Sequence, residues 1–325
     1  TKLVAAAHGY DALMASIRPT EKLPGKKAAI IGGGPTGIAA AYFLARGGVQ
    51  TTIFEREEKL GGVPRYVIPA FRISDEALGK DGALMERLGV EVKCGAPAPS
   101  VAELKKMGYT HILLATGAWQ AGELGIPGNV RGVIAWMKEM KQQVKPCLEG
   151  HVVVVGAGNT AMDAARVAKR MGAASSTIVY RRTKKEMPAD EHELKLAIDE
   201  GVNLVELAAP VEQKDGRLIC NQMKLGEPDA SGRRSPVATG ETFEIPCDLV
   251  LSAIGEKVDA KLMAENGIEM GRKGPAFQTN VENVWSAGDA HRGPATVVEG
   301  IADAAAFAEA VIGAAHTYEI PEQAY

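Results

Sequence analysis

The stretch "KKAAIIGGGPTGIAAAYFLARGGVQTTIFERE", Lys26 to Glu57, decides the fold. Ala28 to Ile31 is an apolar run of strand length, and Gly32, Gly34 and Gly37 follow it in the pattern G-x-G-x-x-G. Ile38 to Arg46 then has the alanine-rich composition and period of a helix. Gly32 permits a tight turn, Gly34 lets the backbone approach a pyrophosphate, and Gly37 lets helix and strand pack closely. Pro35 and Thr36 lie inside the same turn, where the helix N-terminus offers N–H groups and a positive dipole end to phosphates. The next strand ends on Glu55, at about the 20-residue spacing where a carboxylate accepts hydrogen bonds from a ribose diol. Arg56 follows directly.

The same pattern returns as "HVVVVGAGNTAMDAARVAKRMGAASSTIVYRR", His151 to Arg182. Val152 to Val155 is the strand, and Gly156, Gly158 and Ala161 are the turn, with Asn159 and Thr160 between them. Alanine in the third position still allows close helix packing. Here the second strand ends on Arg181 and Arg182, so positive charge stands in the slot that Glu55 holds in the first copy. A carboxylate would repel a 2′-phosphate, whereas a guanidinium grips it with paired, charge-assisted hydrogen bonds. The arginines therefore point to NADPH over NADH. Lys184 and Lys185 either add to that positive field or are simply solvated.

Around these two units, β-rich runs alternate with longer helical segments, which argues for parallel α/β architecture. A length of 325 residues accommodates two domains of ordinary size. The net charge of −3 supports neither a nucleic-acid surface nor a polybasic membrane patch. No apolar run reaches the roughly 18–20 residues of a membrane-spanning helix. No signal peptide is visible, and the start at Thr1 without methionine reads as a cut end. Cys94, Cys147, Cys220 and Cys247 are far apart, so no local dithiol and no clustered metal or iron–sulfur motif is available. Dispersed thiols suit a reducing cytoplasm. Leu3 to Ile17 has helical spacing, and "RPTEKLPGKK" breaks it. That helix either packs on this chain's first domain or docks on another segment.

Four further motifs, taken with the two turns, carry a resemblance. The chain resembles the flavoprotein reductases with two dinucleotide-binding domains. It is similar to the small subunit of glutamate synthase, to the flavin and NADPH region of dihydropyrimidine dehydrogenase, and most of all to the flavoprotein portion of selenate reductase-like subunits. The likeness covers Lys26 to Ile312. "LGGVPRYVIPAFRI" (Leu60 to Ile73) resembles the family loop along the flavin, which implies roles for Gly61, Gly62, Val63 and Arg72. "ILLATGA" (Ile112 to Ala118) resembles the strand and turn leaving the FAD domain, with Thr116 and Gly117 at the cofactor. "VYRRTKKEMP" resembles the NADPH segment, and Ile254 and Gly255 are implied at the same nucleotide. "VENVWSAGDAHRGPATVVEGIADAAAFAEAV" (Val281 to Val311) resembles the closing FAD motif. It implies that Gly288 and Asp289 lie at the ribityl–phosphate region. It also implies that Thr296 and Val297 begin a helix whose amides face the flavin.

The expected architecture is α/β, with two Rossmann-like three-layer domains and the NADPH domain inserted into a discontinuous FAD domain. Residues 25–122 and 277–316 would form the FAD domain and 123–276 the NADPH domain. The insert would be entered near "GELGIPG" and left near "GRKGPAF". Residues 1–24 would be a helix and linker, and 317–325 a tail. Two connections between domains suit a hinge. The flavin carries the hydride chemistry, so no catalytic side chain is expected and no metal. Asp163, Glu186, His192 and His291 are expected in solvated or helix-surface roles. The resemblance implies an NADPH-oxidising flavoreductase feeding iron–sulfur clusters on another segment or subunit. The alternatives are a disulfide reductase of the thioredoxin-reductase kind and a redox-sensing subunit that does not turn over.

Overall fold

A computed structural model describes residues 2–17, 20–228, 232, 234–269 and 277–313, and the side chains from residue 8 onward. Most of the expected exit sequence near "GRKGPAF" and the expected tail 317–325 lie outside the described residues. The chain divides into two compact units. The first comprises Thr1–Arg65, Ile73–Ala118 and Val258–Tyr325, and the second Tyr66–Arg72 and Trp119–Lys257.

In the first unit the order is α1 (Lys2–Ser16), β1 (Lys27–Ile31), α2 (Pro35–Arg46), β2 (Gln50–Phe54), α3 (Gly62–Tyr66, whose last residue passes into the second unit), α4 (Asp75–Arg87), β3 (Glu91–Lys93), α5 (Val101–Lys106) and β4 (His111–Leu114). Its five-stranded sheet has the order β15-β4-β1-β2-β3, where β15 is the later strand Val284–Ser286, and every pairing is parallel. Strand β1 shows why both faces are covered. Ala28 and Ile30 enter one cluster with Leu44, Met85 and Phe307, while Ala29 and Ile31 enter another with Leu104, Tyr109 and Ile112. Strand side chains alternate between faces, so a fully apolar strand needs a layer on each side. The edge-to-face pair Trp285–Phe307, with centroids 5.2 Å apart, anchors the first layer. Truncating the fully buried Phe307 to alanine should cost about 3–5 kcal/mol.

Helix α1 docks on this same unit. Tyr10 Oη donates to the Lys80 carbonyl of α4 at 3.1 Å, the Lys80 ammonium lies over the Tyr10 ring, and Ile17 is buried.

The second unit contains β5 (Gln120–Ala121), β6 (Val130–Gly132), α6 (Val133–Lys141), β7 (His151–Val155), α7 (Asn159–Arg170), β8 (Ser175–Val179), α8 (Glu191–Asp199) and β9 (Asn203–Val205). There follow β10 (Ala208–Lys214), β11 (Arg217–Pro228), β12 (Arg234–Pro246), β13 (Leu249–Ser252) and β14 (Glu256–Lys257). Its parallel sheet has the order β6-β13-β7-β8-β9. One face carries α7, tied down where Ser176 Oγ donates to the Ala165 carbonyl at 2.9 Å. The other face is covered by the antiparallel sheet β10-β11-β12, whose Leu218, Cys220 and Ile245 pack with Val153 and Val155.

The chain then returns to the first unit with α9 (Ala260–Glu265), β15, α10 (Asp289–Arg292) and α11 (Val297–Ile312). Met263 and Ile268 join the Ile112–Leu114 face of the first unit's core. The second unit therefore closes at Lys257, short of the expected 276.

Candidate functional site: two glycine turns at two switch points

In each parallel sheet the strand order reverses beside the first glycine turn. From β1 the chain steps to β2 and β3, then crosses to β4 on the other side; from β7 it steps to β8 and β9, then crosses to β13. Ligands of open α/β sheets bind at the carboxyl ends of strands at such a reversal. Gly32 (φ +109°) would put a Cβ 2.3 Å from the Ala115 carbonyl oxygen after β4. Gly156 (φ +148°) would put one 2.2 Å from the Ala253 carbonyl oxygen after β13. The two turns are thus built alike, each backbone pressed against the strand across the reversal.

At the first turn, a Cβ on Gly37 would lie 1.9 Å from the Gly32 carbonyl oxygen, so helix and turn tolerate only hydrogen there. Gly34 differs: its missing Cβ would meet nothing nearer than Gly62 Cα at 3.8 Å. Gly34 is also the N-cap of α2, has no capping side chain, and precedes Pro35. The first turn of α2 therefore presents uncapped backbone amides over open space, which suits a phosphate. Gly61 and Gly62 run past this opening at positive φ, and Val63 follows within α3.

Glu55 is 5% exposed at the end of β2. Its Oε2 accepts from the Gly33 N–H at 2.6 Å and its Oε1 from the Glu57 N–H at 2.9 Å. Two amides fix the carboxylate and leave lone pairs for a diol. Arg56, beside it, approaches Glu57 at 3.7 Å. Thr116 Oγ1 is buried without a hydrogen-bond partner, next to Gly117 at φ +72°.

The closing motif reaches the same turn. A Cβ on Gly288 would sit 2.2 Å from Thr36 Oγ1, and one on Gly300 2.5 Å from the same atom. Asp289 accepts from the Ala295 N–H at 3.1 Å, and Thr296 caps α11 in a reciprocal box with Glu299. Val297, the first residue of α11, is half-exposed. One residue here escapes the sequence reading. Asp303, 2% exposed, accepts from the Gly288 N–H and from Arg292 Nε, both at 2.9 Å, and so fixes the turn before Asp289. The signal was a lone carboxylate inside the apolar run "IADAAAF".

At the second turn, Gly158 caps α7 without a side chain, and a Cβ there would meet nothing within 4 Å. Asn159 accepts from the Asp190 N–H at 3.2 Å, Thr160 donates to Glu256 at 2.9 Å, and Ala161 is fully buried. Gly255 (φ +112°) also faces open space, and Ile254 is 48% exposed. Beyond β8 the two arginines part: Arg181 is exposed, whereas Arg182 is 8% exposed and its Nε is buried without a partner. Lys184 and Lys185 are exposed. The Glu186 carboxylate caps Thr183, whose hydroxyl bond pulls it below the usual range.

One expectation needs correction. Asp163 is not a solvated helix residue: it is 7% exposed inside α7 and paired with Arg72. Burial pushes its carboxyl above the usual range, with Arg72 pulling against that. Arg72 in turn binds Glu193, with Nη1 to Oε1 at 2.7 Å, so its guanidinium is engaged by two carboxylates of the second unit. The reason is packing: Tyr66–Arg72 belongs to the second unit, where Phe71 lies between Arg166 and Arg170 at 4.4 and 4.3 Å. His192 is exposed, as expected, while His291 is half-buried with its ring 5.0 Å from that of Phe277.

Comparison with known proteins fits this double arrangement. The family model "Pyridine nucleotide-disulphide oxidoreductase" matches residues 26–304. The chain belongs to that family. It is an oxidoreductase by that membership. A protein of Escherichia coli (strain K12) named "Putative oxidoreductase YgfK" is 39% identical over 295 residues, covering 87% of this chain and 29% of the relative. The NADP(+)-dependent formate dehydrogenase subunit beta of Moorella thermoacetica is 38% identical over 299 residues, covering 86% of this chain and 42% of the relative. This chain thus spans less than half of either protein. Among solved structures, FprA from Mycobacterium tuberculosis in complex with NADPH aligns with a TM-score of 0.75 at 19% identity, covering 88% of this chain and 84% of that one. That likeness shows the shared fold.

The disulphide chemistry in the family's title has no matching thiols here. Cys94 and Cys147 are exposed and unbonded, and Cys220 and Cys247 are buried in the core of the second unit. Burial pushes the Cys220 thiol to about 11 and the Cys247 thiol to about 12, so neither supplies a thiolate near neutrality. Among the described residues no cluster of His, Cys, Asp and Glu could hold a metal, and no helix is long and apolar enough to cross a membrane.

Proposed function

We propose that this chain is the NADPH-oxidising flavoprotein module of a larger electron-transfer enzyme, with FAD at the first glycine turn and NADPH at the second. The observation that carries the reading is the opposite charge on two turns of the same build. Glu55, held by two amides, offers acceptors to a ribose diol. Arg181 and Arg182 offer donors to a 2′-phosphate, and the unpartnered Nε of Arg182 is one such donor already buried.

The residues fit both groups. Gly32, Gly34 and Gly37 shape the first turn, and α2 presents its amides to a pyrophosphate over the open face of Gly34. Thr116 Oγ1, Asp289 and the N-terminus of α11 at Thr296 and Val297 supply further polar partners for FAD. Gly156, Gly158, Ile254 and Gly255 frame the second opening. The flavin, when bound, supplies the hydride and single-electron chemistry. The protein binds and orients, and no side chain is assigned a proton.

The acceptor is an iron–sulfur cluster carried outside this chain. Clusters need grouped cysteine ligands, and the four cysteines here are dispersed. Relatives named as a formate dehydrogenase beta subunit and as the glutamate synthase [NADPH] small chain of Escherichia coli, the latter 31% identical, support a role as one subunit among several. A donor such as NADPH and four unbonded thiols fit a cytoplasmic setting.

The test is anaerobic mixing of the FAD-loaded protein with NADPH while the flavin absorbance is followed. The reading expects bleaching with NADPH and much slower bleaching with NADH. A protein that cannot be loaded with FAD, or a flavin that NADPH leaves oxidised, would end it.

A further inference from the structure

The first turn of α7 carries an acidic neighbour that nucleotide binding does not call for. Thr160, the second residue of that helix, donates from Oγ1 to Glu256 Oε1 at 2.9 Å. Glu256 is half-buried on β14, which pairs antiparallel with β5, so its backbone is fixed by the ribbon at which the chain enters and leaves the second unit. Its carboxylate therefore stands beside the uncapped N-terminus of α7, flanked by Gly158 and Gly255, both facing open space. Every other feature of that opening favours an anion. Glu256 opposes one.

We propose that Glu256 is an affinity-tuning charge that holds down the binding of NADP(H) by repelling the pyrophosphate at α7. The inference rests on the assignment of NADPH to this turn. A hydrogen bond to Thr160 keeps the carboxylate aimed at the helix end, so the repulsion has a defined geometry. Repulsion felt alike by reduced and oxidised nucleotide leaves the chemical barrier unchanged and acts on binding alone. Affinity differences within one interface lie mostly in the rate of departure, so the charge hastens release of spent NADP+. One unit charge roughly 6 Å from a phosphate, at an effective dielectric of roughly 40, between those of a protein surface and of water, amounts to about tenfold in affinity.

The experiment is a calorimetric titration of NADP+ into the FAD-loaded protein at low and at high salt, for wild type, Glu256→Gln, Glu256→Ala and Glu256→Asp. Glu256→Gln keeps the size and an acceptor for Thr160 but removes the charge. Both uncharged variants should bind NADP+ about tenfold more tightly than wild type at low salt, and Glu256→Asp should stay near wild type. The advantage should shrink at high salt as the charge is screened, which a merely structural role would not predict. Should Glu256→Gln bind no more tightly than wild type, or its advantage ignore salt, the inference fails while the nucleotide assignment stands. A wild-type protein that holds FAD but binds no NADP+ overturns the assignment, and this inference with it.

Discussion

Replacing Arg181 and Arg182 by alanine, singly and together, should erode the preference for NADPH in unequal steps. Hydrogen bonds to charged groups contribute about 1.5–3 kcal/mol, with neutral or water-exposed ones nearer 1. Arg181 is exposed, so water competes for its contact and its loss belongs near the lower end. Arg182 is 8% exposed with a buried, unpartnered Nε, so a phosphate bond to it forms out of water and belongs near the upper end. At about 1.4 kcal/mol per tenfold, Arg181→Ala should lower the NADPH-to-NADH ratio of kcat/KM several-fold, and Arg182→Ala by about a hundredfold. The assay is stopped-flow bleaching of the flavin under anaerobic conditions with each nucleotide in turn. NADH kinetics should barely change, since that nucleotide has no 2′-phosphate to lose contact with. Because Arg181 lies on the surface, its variant tests the idea even if removal of Arg182 disturbs the fold. A double variant that keeps the wild-type ratio would show that the phosphate is held elsewhere.

Two further outcomes follow from the geometry. Gly37→Ala sets a methyl 1.9 Å from the Gly32 carbonyl oxygen, so it should abolish FAD loading or lower the melting temperature sharply, whereas Gly34→Ala, with 3.8 Å of clearance, should keep the fold and weaken FAD binding alone; equal stability of the Gly37 variant and wild type would contradict the packing. Glu200, held down to about 2 chiefly by Arg170 and then by Arg166, has a folded value below its unfolded one of 4.5. It therefore stabilises fully above pH 4.5, and that contribution is lost as pH falls through about 2. Glu200→Gln should flatten the acid limb of denaturant-midpoint against pH, and an unchanged limb would remove Glu200 from the account.

What the sequence disclosed and what it hid divide along a physical line. Both glycine turns, the acid-versus-arginine contrast and the α/β class were legible because each depends on local backbone geometry and on spacing. Gly32 and Gly156 must take positive φ whatever surrounds them. The family resemblance, read from ordered motifs, agrees with the family that the chain belongs to. Asp163 was misread because its environment is set by packing between distant segments: 91 positions separate it from its partner Arg72. Glu256 was passed over for the same reason, since neither motif nor period marks a carboxylate whose meaning comes from one neighbour far along the chain. The antiparallel cover β10-β11-β12 also stood outside the repeat.

Under the proposed assignment, one backbone device serves two different nucleotides. What the two turns share is main chain: a glycine pressed against the carbonyl across the strand reversal, an uncapped helix start, and an open face where a Cβ is missing. Such a device cannot tell one dinucleotide from another. Discrimination falls to the residues that end the second strand, and their burial decides how strongly. Glu55 is 5% exposed yet already satisfied by two amides, so it is rigid before any ribose arrives and loses little freedom on binding. Arg182 is buried, and among the described residues its Nε has no hydrogen-bond partner. On the proposed assignment, its guanidinium would meet a 2′-phosphate with charge-assisted hydrogen bonds that a 2′-hydroxyl cannot match. On that assignment, selectivity at the second site comes from a guanidinium shielded from water, and at the first from a carboxylate held in place.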